Sequence, residues 1–317
     1  RLTVLRNGEK VTTAVTSECS TQQLIQWMIG RESVVQKNIG EPKNDHEMLL
    51  ECRGLTTLRD CIKNVSFQIR KGEIVGFAGV VGAGRSEIAK MIFGAEKMAA
   101  GEIYLDGEKI DIKDPDDAMS KGIAMVHQEL QPVLARSVGE NLFLGRFPTK
   151  NYGPLKVIDH KKMYEDTKMW LDEVGMDFDP KAQLGSLSIG QMQSVEIAKA
   201  VSHQAKVVIF DEPTSSLSDK EVDALFRIMN DLRSKGVAMI YISHKMDEIK
   251  RIADDITVMR DGGYVGTWPA AEMTTEQIIA KMVGRELTNV YPDKDNEIGD
   301  VVLEVKDLCS IHPKSFQ

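Results

Sequence analysis

Three observations predict an α/β fold with a parallel sheet. Short apolar runs end abruptly in polar residues, as at 207–210 before Asp211 and Glu212. Such runs are typical of strands that are buried on both faces of a parallel sheet. Helical patterns alternate with these runs, and one run passes through a glycine-rich loop directly into a helix. This alternation favours crossover connections between parallel strands.

The strand at 207–210 carries two carboxylates at its carboxyl end. Open α/β sheets bind their ligands at this edge, outside the carboxyl ends of the strands. Asp211 is therefore placed to hold Mg²⁺, and Glu212 is placed to polarise a water molecule. The alternative is an ordinary acidic turn after an apolar strand.

Composition excludes several classes of protein. The chain has 317 residues and a net charge of -8, which argues against nucleic-acid binding because phosphate affinity needs clustered Lys and Arg. The four cysteines form no CxxC pair, so they indicate reduced thiols in place of a zinc site or a disulfide frame. No apolar run approaches the roughly 18 residues of a membrane span.

Partial internal repeats flank a central unit. The stretch 2–8 returns at 256–262, and the pattern MIGRE at 28–32 returns as MVGRE at 282–286. Repeated segments of this kind indicate tandem units. We therefore predict the tail of a preceding unit with a linker at 1–45, a central unit at 46–290, and a linker with the start of a following unit at 291–317.

A glycine-rich loop follows a predicted strand at 74–78 and opens a helix that ends near Gly94. The loop fits the phosphate-binding pattern GxxxxGK[ST] except that Arg85 replaces the lysine. Glycines let backbone N–H groups surround a phosphate, the helix N-terminus adds partial positive charge, and Ser86 can offer a hydroxyl to Mg²⁺. The alternative is an ordinary glycine-rich turn. The candidate nucleotide-binding residues here are Gly79, Gly82, Ala83, Gly84, Arg85, Ser86 and Glu87.

Further polar residues follow predicted strands. Gln128 comes after an apolar strand at 123–126 and could reach the metal or the attacking water, although a surface amide is the simpler interpretation. His244 follows the strand at 237–242 and is a candidate because the same sheet edge carries the loop and the carboxylates.

The stretch 136–205 is predicted to be mostly helical. Within it, Ser188 and Gln191 form a capping box at the start of a helix, which would offer a hydroxyl and free N–H groups to an anion. A plain N-cap is the alternative. A second capping box, Ser218 with Glu221, starts a helix that we interpret as scaffold.

The order of these motifs resembles that of the ATP-binding cassette ATPases. The motifs are the glycine-rich loop, Gln128, LSIGQ at 187–191, DE at 211–212, and His244. More narrowly, residues 48–290 are similar to the tandem two-cassette ATPases of bacterial monosaccharide importers of the galactose/methyl-galactoside and ribose type. The stretches that carry this likeness are GIAMVHQEL, ENLFLGR, LSIGQMQSVEIAKA, DEPTSSLSDKEV and YISHKMDEIKRIADDITVMRDG.

The resemblance implies a P-loop ATP-binding cassette with a RecA-like parallel-sheet core and an inserted α-helical subdomain at about 136–200. It implies ATP and Mg²⁺ as cofactors, with the loop at 79–86 on the β- and γ-phosphates. Ser86, Gln128 and Asp211 would position Mg²⁺, Glu212 would be the general base, and His244 would contact the γ-phosphate. Ser188, Gly190 and Gln191 would complete the site of a partner cassette in trans.

The resemblance also implies partners and a location. A second cassette, identical or different, would pair with this one, and the helical insert with the Gln128 loop would dock a membrane permease. A sugar-binding protein would act indirectly, and no nucleic acid would bind. The cassette would lie at the cytoplasmic face of the plasma membrane as a peripheral subunit.

Arg85 departs from the pattern of the family. Lysine is a compact point charge, whereas arginine is a planar fork, so the exchange is not conservative at a phosphate loop. We predict that binding is retained and that hydrolysis is weakened. The alternative function is a nucleotide-binding cassette with impaired hydrolysis, which would act as a regulatory or partner half. The front at 48–120 is similar to second cassettes and the body at 121–290 to first cassettes, so we hypothesise a mosaic joined near 118–122.

Overall fold

The computed structural model describes residues 2–6, 9–15, 19, 23, 27, 47–58, 61–128, 132–284 and 304. The chain divides into two units, residues 1–285 and residues 286–317, and Glu304 is the described residue of the second unit. The predicted tail and linker at 1–45 and the predicted following unit at 291–317 lie mostly outside the described residues. Their boundaries stay predictions.

Strands and helices alternate through most of the described chain. The strands are β1 Leu2–Arg6, β2 Glu9–Ala14, β3 Met48–Thr57, β4 Val65–Arg70, β5 Ile74–Ala78, β6 Met98–Leu105, β7 Glu108–Ile110, β8 Ile123–Val126, β9 Thr149–Tyr152, β10 Leu155–Ile158, β11 Val207–Asp211, β12 Ala238–Ile242, β13 Asp255–Arg260 and β14 Gly263–Pro269. The α-helices are α1 Arg85–Ile92, α2 Pro115–Ser120, α3 Val138–Leu142, α4 His160–Glu173, α5 Ile189–Ser202, α6 Asp219–Ser234, α7 Met246–Ile252 and α8 Thr275–Val283. None of the helices in the described part of the chain has the length and apolar character of a membrane span.

The predicted parallel sheet is confirmed. Six strands lie in the order β14-β13-β5-β12-β11-β8, and every neighbouring pair is parallel except the edge pair β13 and β14. In the centre, Ile209 pairs with Met125 on one side and with Ile240 on the other. The carboxyl ends of β5, β8, β11 and β12 therefore meet at one edge, which places the predicted site residues there.

The central strands are apolar throughout because both of their faces are covered. Successive side chains point to opposite faces of a strand, and those of β11 divide accordingly. Val208 and Phe210 join a core with α3 to α8, whereas Val207 and Ile209 join a second core with α1 and β3, β4 and β6. The strands β4-β3-β6-β7 form an antiparallel sheet on this second side.

The stretch 136–205 is less helical than predicted. It holds α3, α4 and α5, but an antiparallel hairpin of β9 and β10 lies between α3 and α4. Gly153 has a φ of 61° in the two-residue turn of this hairpin. All eight residues of its strands are exposed, so they lack the alternation of buried and exposed residues by which a strand is predicted from sequence.

Candidate functional site

The glycine-rich loop lies between β5 and α1, as predicted. Gly84 is the N-cap of α1 with a φ of 96°, and a Cβ there would lie 2.0 Å from Cδ1 of Ile62. A Cβ on Gly79 would lie 2.8 Å from the carbonyl oxygen of Met259. Both glycines are therefore required by close packing, and Gly84 also by its left-handed backbone conformation. A Cβ on Gly82 would meet no heavy atom within 4 Å, so the loop is open on that side.

The other loop residues take the places that the pattern predicts. Ala83 is buried, and its N–H donates to the carbonyl oxygen of Val80 at 3.0 Å. Ser86 and Glu87 lie in the first turn of α1 and are half-buried. Backbone N–H groups in the first turn of a helix have no intrahelical partner. The loop therefore ends where an anion is best stabilised.

Asp211 ends β11 and faces the loop. The Ser86 hydroxyl donates a hydrogen bond to Oδ1 of Asp211 at 2.9 Å, and the aspartate is only 4% exposed. Burial raises the pKa of Asp211, the hydrogen bond from Ser86 lowers it, and the neighbouring Glu212 raises it. A buried carboxylate of this kind is stabilised by a cation, because low dielectric disfavours an isolated charge.

Glu212 lies just beyond β11 with a left-handed φ of 49°. Its Oε2 lies 2.6 Å from Nδ1 of His244, and its N–H donates to the carbonyl oxygen of Ile242. The ends of β11 and β12 are therefore joined through both backbone and side chain. A non-glycine residue in this conformation is maintained by its surroundings and is frequent at functional sites.

Arg85 does not extend into the open side of the loop. Its Nη1 donates to the carbonyl oxygen of Ser243 at 2.8 Å, and its Nη2 lies 3.6 Å from Oε1 of Glu212. The side chain of Arg85 is 9% exposed. The guanidinium thus donates one hydrogen bond and forms one ion pair within the chain itself at the same sheet edge, which the sequence did not predict.

Gln128 lies two residues beyond β8 and is exposed. Because β8 pairs with β11 in parallel, with Val126 opposite Phe210, Gln128 lies at the same edge as the carboxylates. Among the described residues, no hydrogen bond joins Gln128 to Ser86 or Asp211. The structure therefore brings Gln128 to the edge without a described hydrogen bond to either residue.

The residues Ser188, Gly190 and Gln191 form a separate group at the start of α5. The predicted capping box is present, because the N–H of Gln191 donates to Oγ of Ser188 and the Gln191 side chain accepts from the N–H of Ser188. The Ser188 hydroxyl also donates to Oε1 of Glu221 at 3.2 Å, and a Cβ on Gly190 would lie 2.4 Å from this oxygen. A carboxylate of the same chain thus lies at the predicted anion site.

Comparison with known proteins shows the family to which this domain belongs. Residues 62–215 match the family described as ABC transporter. Over 276 residues, or 86% of its length, the chain is 48% identical to the galactose/methyl galactoside import ATP-binding protein MglA of Clostridium tetani. The chain carries a cassette of the ABC transporter family. It covers 55% of that relative and spans about half the length of the curated relatives it matches.

Solved structures agree on the fold of the cassette. A nucleotide-free ATP-binding cassette from an ABC transporter is 24% identical with a TM-score of 0.64, over 75% of this chain and 95% of that one. The cassette MJ0796, in a dimeric post-hydrolysis state bound to ADP and Pi, is 21% identical with a TM-score of 0.59, over 70% of this chain and 99% of that one. At these identities the likeness shows the fold alone, and it confirms the predicted cassette architecture.

Sequence reasoning missed two acidic residues of the cassette. Glu221 was assigned only a capping role, yet it also contacts Ser188. Glu248 was assigned no role, yet it accepts hydrogen bonds from Thr214 and Tyr241. Glu221 could have been noticed as the acid of a capping box, but its distant contact has no signal in the sequence. Glu248 lies four residues after His244. This spacing indicates that Glu248 is near the end of the strand, but it does not indicate the contacts of its side chain.

Proposed function

We propose that the cassette binds and hydrolyses Mg·ATP to energise the import of a monosaccharide. The observation that carries this proposal is the contact set at one sheet edge. Ser86 contacts Asp211, and Glu212 contacts His244, beside a glycine-rich loop at a helix N-terminus. Phosphoryl transfer depends on positioning and charge neutralisation more than on covalent help from the protein, and these residues are suited to both.

The predicted residue roles fit this geometry. The loop from Gly79 to Ser86 would hold the phosphates through backbone N–H groups. Glu212 would accept the proton of the attacking water, and His244 would hold Glu212 in place while contacting the γ-phosphate. Ser188, Gly190 and Gln191 lie at another helix N-terminus and make no described contact with the loop, which supports a role at the site of a partner cassette.

The residues present fit a magnesium ion. Mg²⁺ prefers hard oxygen ligands and usually keeps several waters, with one or two protein oxygens and the phosphates of the substrate. The Ser86 hydroxyl and the Asp211 carboxylate are such oxygens, and the buried position of Asp211 favours a cation beside it. Gln128 would join them from its exposed position. The ion would supply charge neutralisation for the phosphates.

The names of similar proteins and of similar solved structures support a proposal about the partners of the cassette. The relative from Clostridium tetani is named for galactose/methyl galactoside import, and the cassette MJ0796 is dimeric. We propose that a second cassette completes the site and that residues 136–200 dock a membrane permease at the cytoplasmic face of the membrane. A sugar-binding protein would deliver a monosaccharide to that permease.

Steady-state hydrolysis of Mg·ATP by the purified chain, beside its Glu212→Gln variant, tests the proposal. We expect measurable turnover that the variant abolishes, because Glu212 would no longer accept a proton. Equal turnover by the two proteins would show that Glu212 is not the general base. Near-zero rates for both, with ATP bound in each, would favour the cassette with impaired hydrolysis.

A further inference from the structure

A carboxylate behind the candidate site links the two strand ends that carry Glu212 and His244. Glu248 is the third residue of α7, and its side chain is 13% exposed. Its Oε2 accepts hydrogen bonds from Thr214 Oγ1 at 2.6 Å, from the Tyr241 hydroxyl at 2.8 Å and from the Ser243 hydroxyl at 3.4 Å. Its Oε1 accepts from Lys245 Nζ at 2.9 Å. Both oxygens are therefore used, and each donor comes from the core or from a strand end.

The donors come from both sides of the Glu212–His244 contact. Thr214 lies two residues after Glu212 and is 1% exposed, while Lys245 directly follows His244. Lys245 Nζ also donates to the carbonyl oxygen of Thr214 at 3.2 Å. The segment after β11 and the segment after β12 are thus tied to the same carboxylate.

We propose that Glu248 is a positioning residue for the reaction. Its carboxylate fixes the segment that follows Glu212 against the strand end that carries His244, and so maintains the hydrogen bond between these two side chains. Glu248 itself touches neither of them among its described hydrogen bonds. This inference rests on the proposed function, because it assigns Glu248 to the same site.

The local geometry shows why such a tie is needed. Glu212 has a left-handed backbone, which persists only where the surroundings determine it. The backbone bond to Ile242 fixes its N–H, but the chain beyond it continues into an exposed turn at Ser215 and Ser216. Thr214 is the last buried residue before that turn. A misplacement of about 1 Å at a reacting group can lower a rate by about 10²-fold.

Two of the four hydrogen-bond partners of Glu248 permit a matched comparison. Thr214→Val and Tyr241→Phe each remove one hydroxyl that donates to the same oxygen of Glu248, and both sites are buried. Only Thr214 lies on the segment that leads from Glu212. A positioning role therefore predicts different kinetic effects, whereas a purely structural role predicts equal losses of stability and equal kinetic effects.

The experiment measures kcat, the KM for ATP and the Tm of the full chain and its variants. We expect Thr214→Val and Glu248→Leu, which removes both acceptor oxygens, to lower kcat by about 10²-fold with KM within about twofold. The double variant Thr214→Val, Glu248→Leu should be no slower than Glu248→Leu alone, because both changes break the same hydrogen bond between Thr214 and Glu248. Tyr241→Phe should lower Tm but keep kcat within about threefold. Equal losses of kcat in Thr214→Val and Tyr241→Phe would overturn the proposal, and so would changes in Tm alone.

A measurement without turnover separates this inference from the proposed function. Should the parent chain and Glu212→Gln both show near-zero hydrolysis, the proposed function fails, and ¹⁵N NMR of histidine-labelled protein then decides on Glu248. We expect the ring ¹⁵N signals of His244 in Thr214→Val and Glu248→Leu to move towards those of Glu212→Gln. The signals of Tyr241→Phe should match the parent. Parent-like signals in all three variants would overturn the positioning role.

Discussion

Replacing Arg85 by lysine should make the cassette faster and less stable. In the structure the guanidinium donates to the carbonyl oxygen of Ser243 at 2.8 Å and lies 3.6 Å from Glu212. A lysine ammonium is a point charge on a flexible stem and cannot hold both the hydrogen bond and the ion pair as the planar guanidinium does. Arg85→Lys therefore frees a positive charge for the phosphates of ATP.

The size of each effect follows from the contacts. A hydrogen bond that involves a charged group contributes about 1.5–3 kcal/mol, so loss of the bond to Ser243 should lower the free energy of unfolding by that amount. A well-placed transition-state donor contributes about 10²–10³ in rate. We expect turnover to rise by at least about 10-fold. The lysine ammonium would be free to reach the phosphates, whereas the Arg85 guanidinium is held by Ser243 and Glu212.

Phosphate release and urea unfolding measure the two effects on the same proteins. Glu212→Gln in each background is the control and should abolish turnover in both. Arg85→Met supplies the matched comparison, because it leaves Glu212 buried without its cation and should cost about 3–5 kcal/mol of stability with no gain in rate. Unchanged turnover in Arg85→Lys, with ATP bound as tightly as before, would refute the reasoning.

Three further predictions concern pH and three glycines. Burial raises the pKa of Glu73 from 4.5 to about 7, so the folded protein binds a proton that the unfolded chain releases. The free energy of unfolding should be higher below pH 4.5 and fall by up to about 3 kcal/mol as the pH rises to 7, and urea titrations of Glu73→Gln should lack this fall. Gly84→Ala should abolish ATP binding and cost more than Gly82→Ala, because both have left-handed backbones but only Gly84 would clash with Ile62; unfolding of Gly82→Ala should show the backbone cost of about 1–2 kcal/mol alone. Gly190→Ala should be partly rescued by Glu221→Ala in a double-mutant cycle, since the clash is with Glu221, and strictly additive costs would contradict this.

The sequence predicted those parts of the cassette that depend on local pattern. The strand Ile74–Ala78 has the bounds that its apolar run predicts, and the capping boxes at Ser188 and Ser218 are both formed. These features follow from burial on both faces and from the hydrogen-bonding needs of helix ends, which involve residues only a few positions apart.

The parts that sequence could not predict depend on contacts between distant segments. The pattern placed Arg85 on a phosphate, but the residue that its fork meets lies 158 positions away at Ser243. The hairpin of β9 and β10 escaped prediction for another reason. Its strands bury neither face, so no alternation marked them.

Glu221 and Glu248 show how a local role can conceal a distant one. An acid in the first turn of a helix is explained by the cap and the dipole, and this explanation accounts for one oxygen of Glu221, which accepts from Ser218. The second oxygen is available to another segment, and there Ser188 donates to it. Glu248 likewise lies in the first turn of α7, but its side chain accepts from Thr214, Tyr241, Ser243 and Lys245.

These two acids make hydrogen bonds near the two ends of the stretch 212–221. Near its start, Thr214 donates to Glu248, and at its end Glu221 accepts from Ser188 at the start of α5. In the proposed dimer, Glu212 acts on the nucleotide of this cassette, and Ser188 contacts the nucleotide of the partner cassette. A shift of Glu212 on ATP binding would therefore act on Ser188 through about ten residues that are fixed at both ends. We expect Thr214→Val to loosen this link, so hydrogen exchange at the N–H groups of Ser188 to Gln191 should rise in that variant and stay unchanged in Tyr241→Phe.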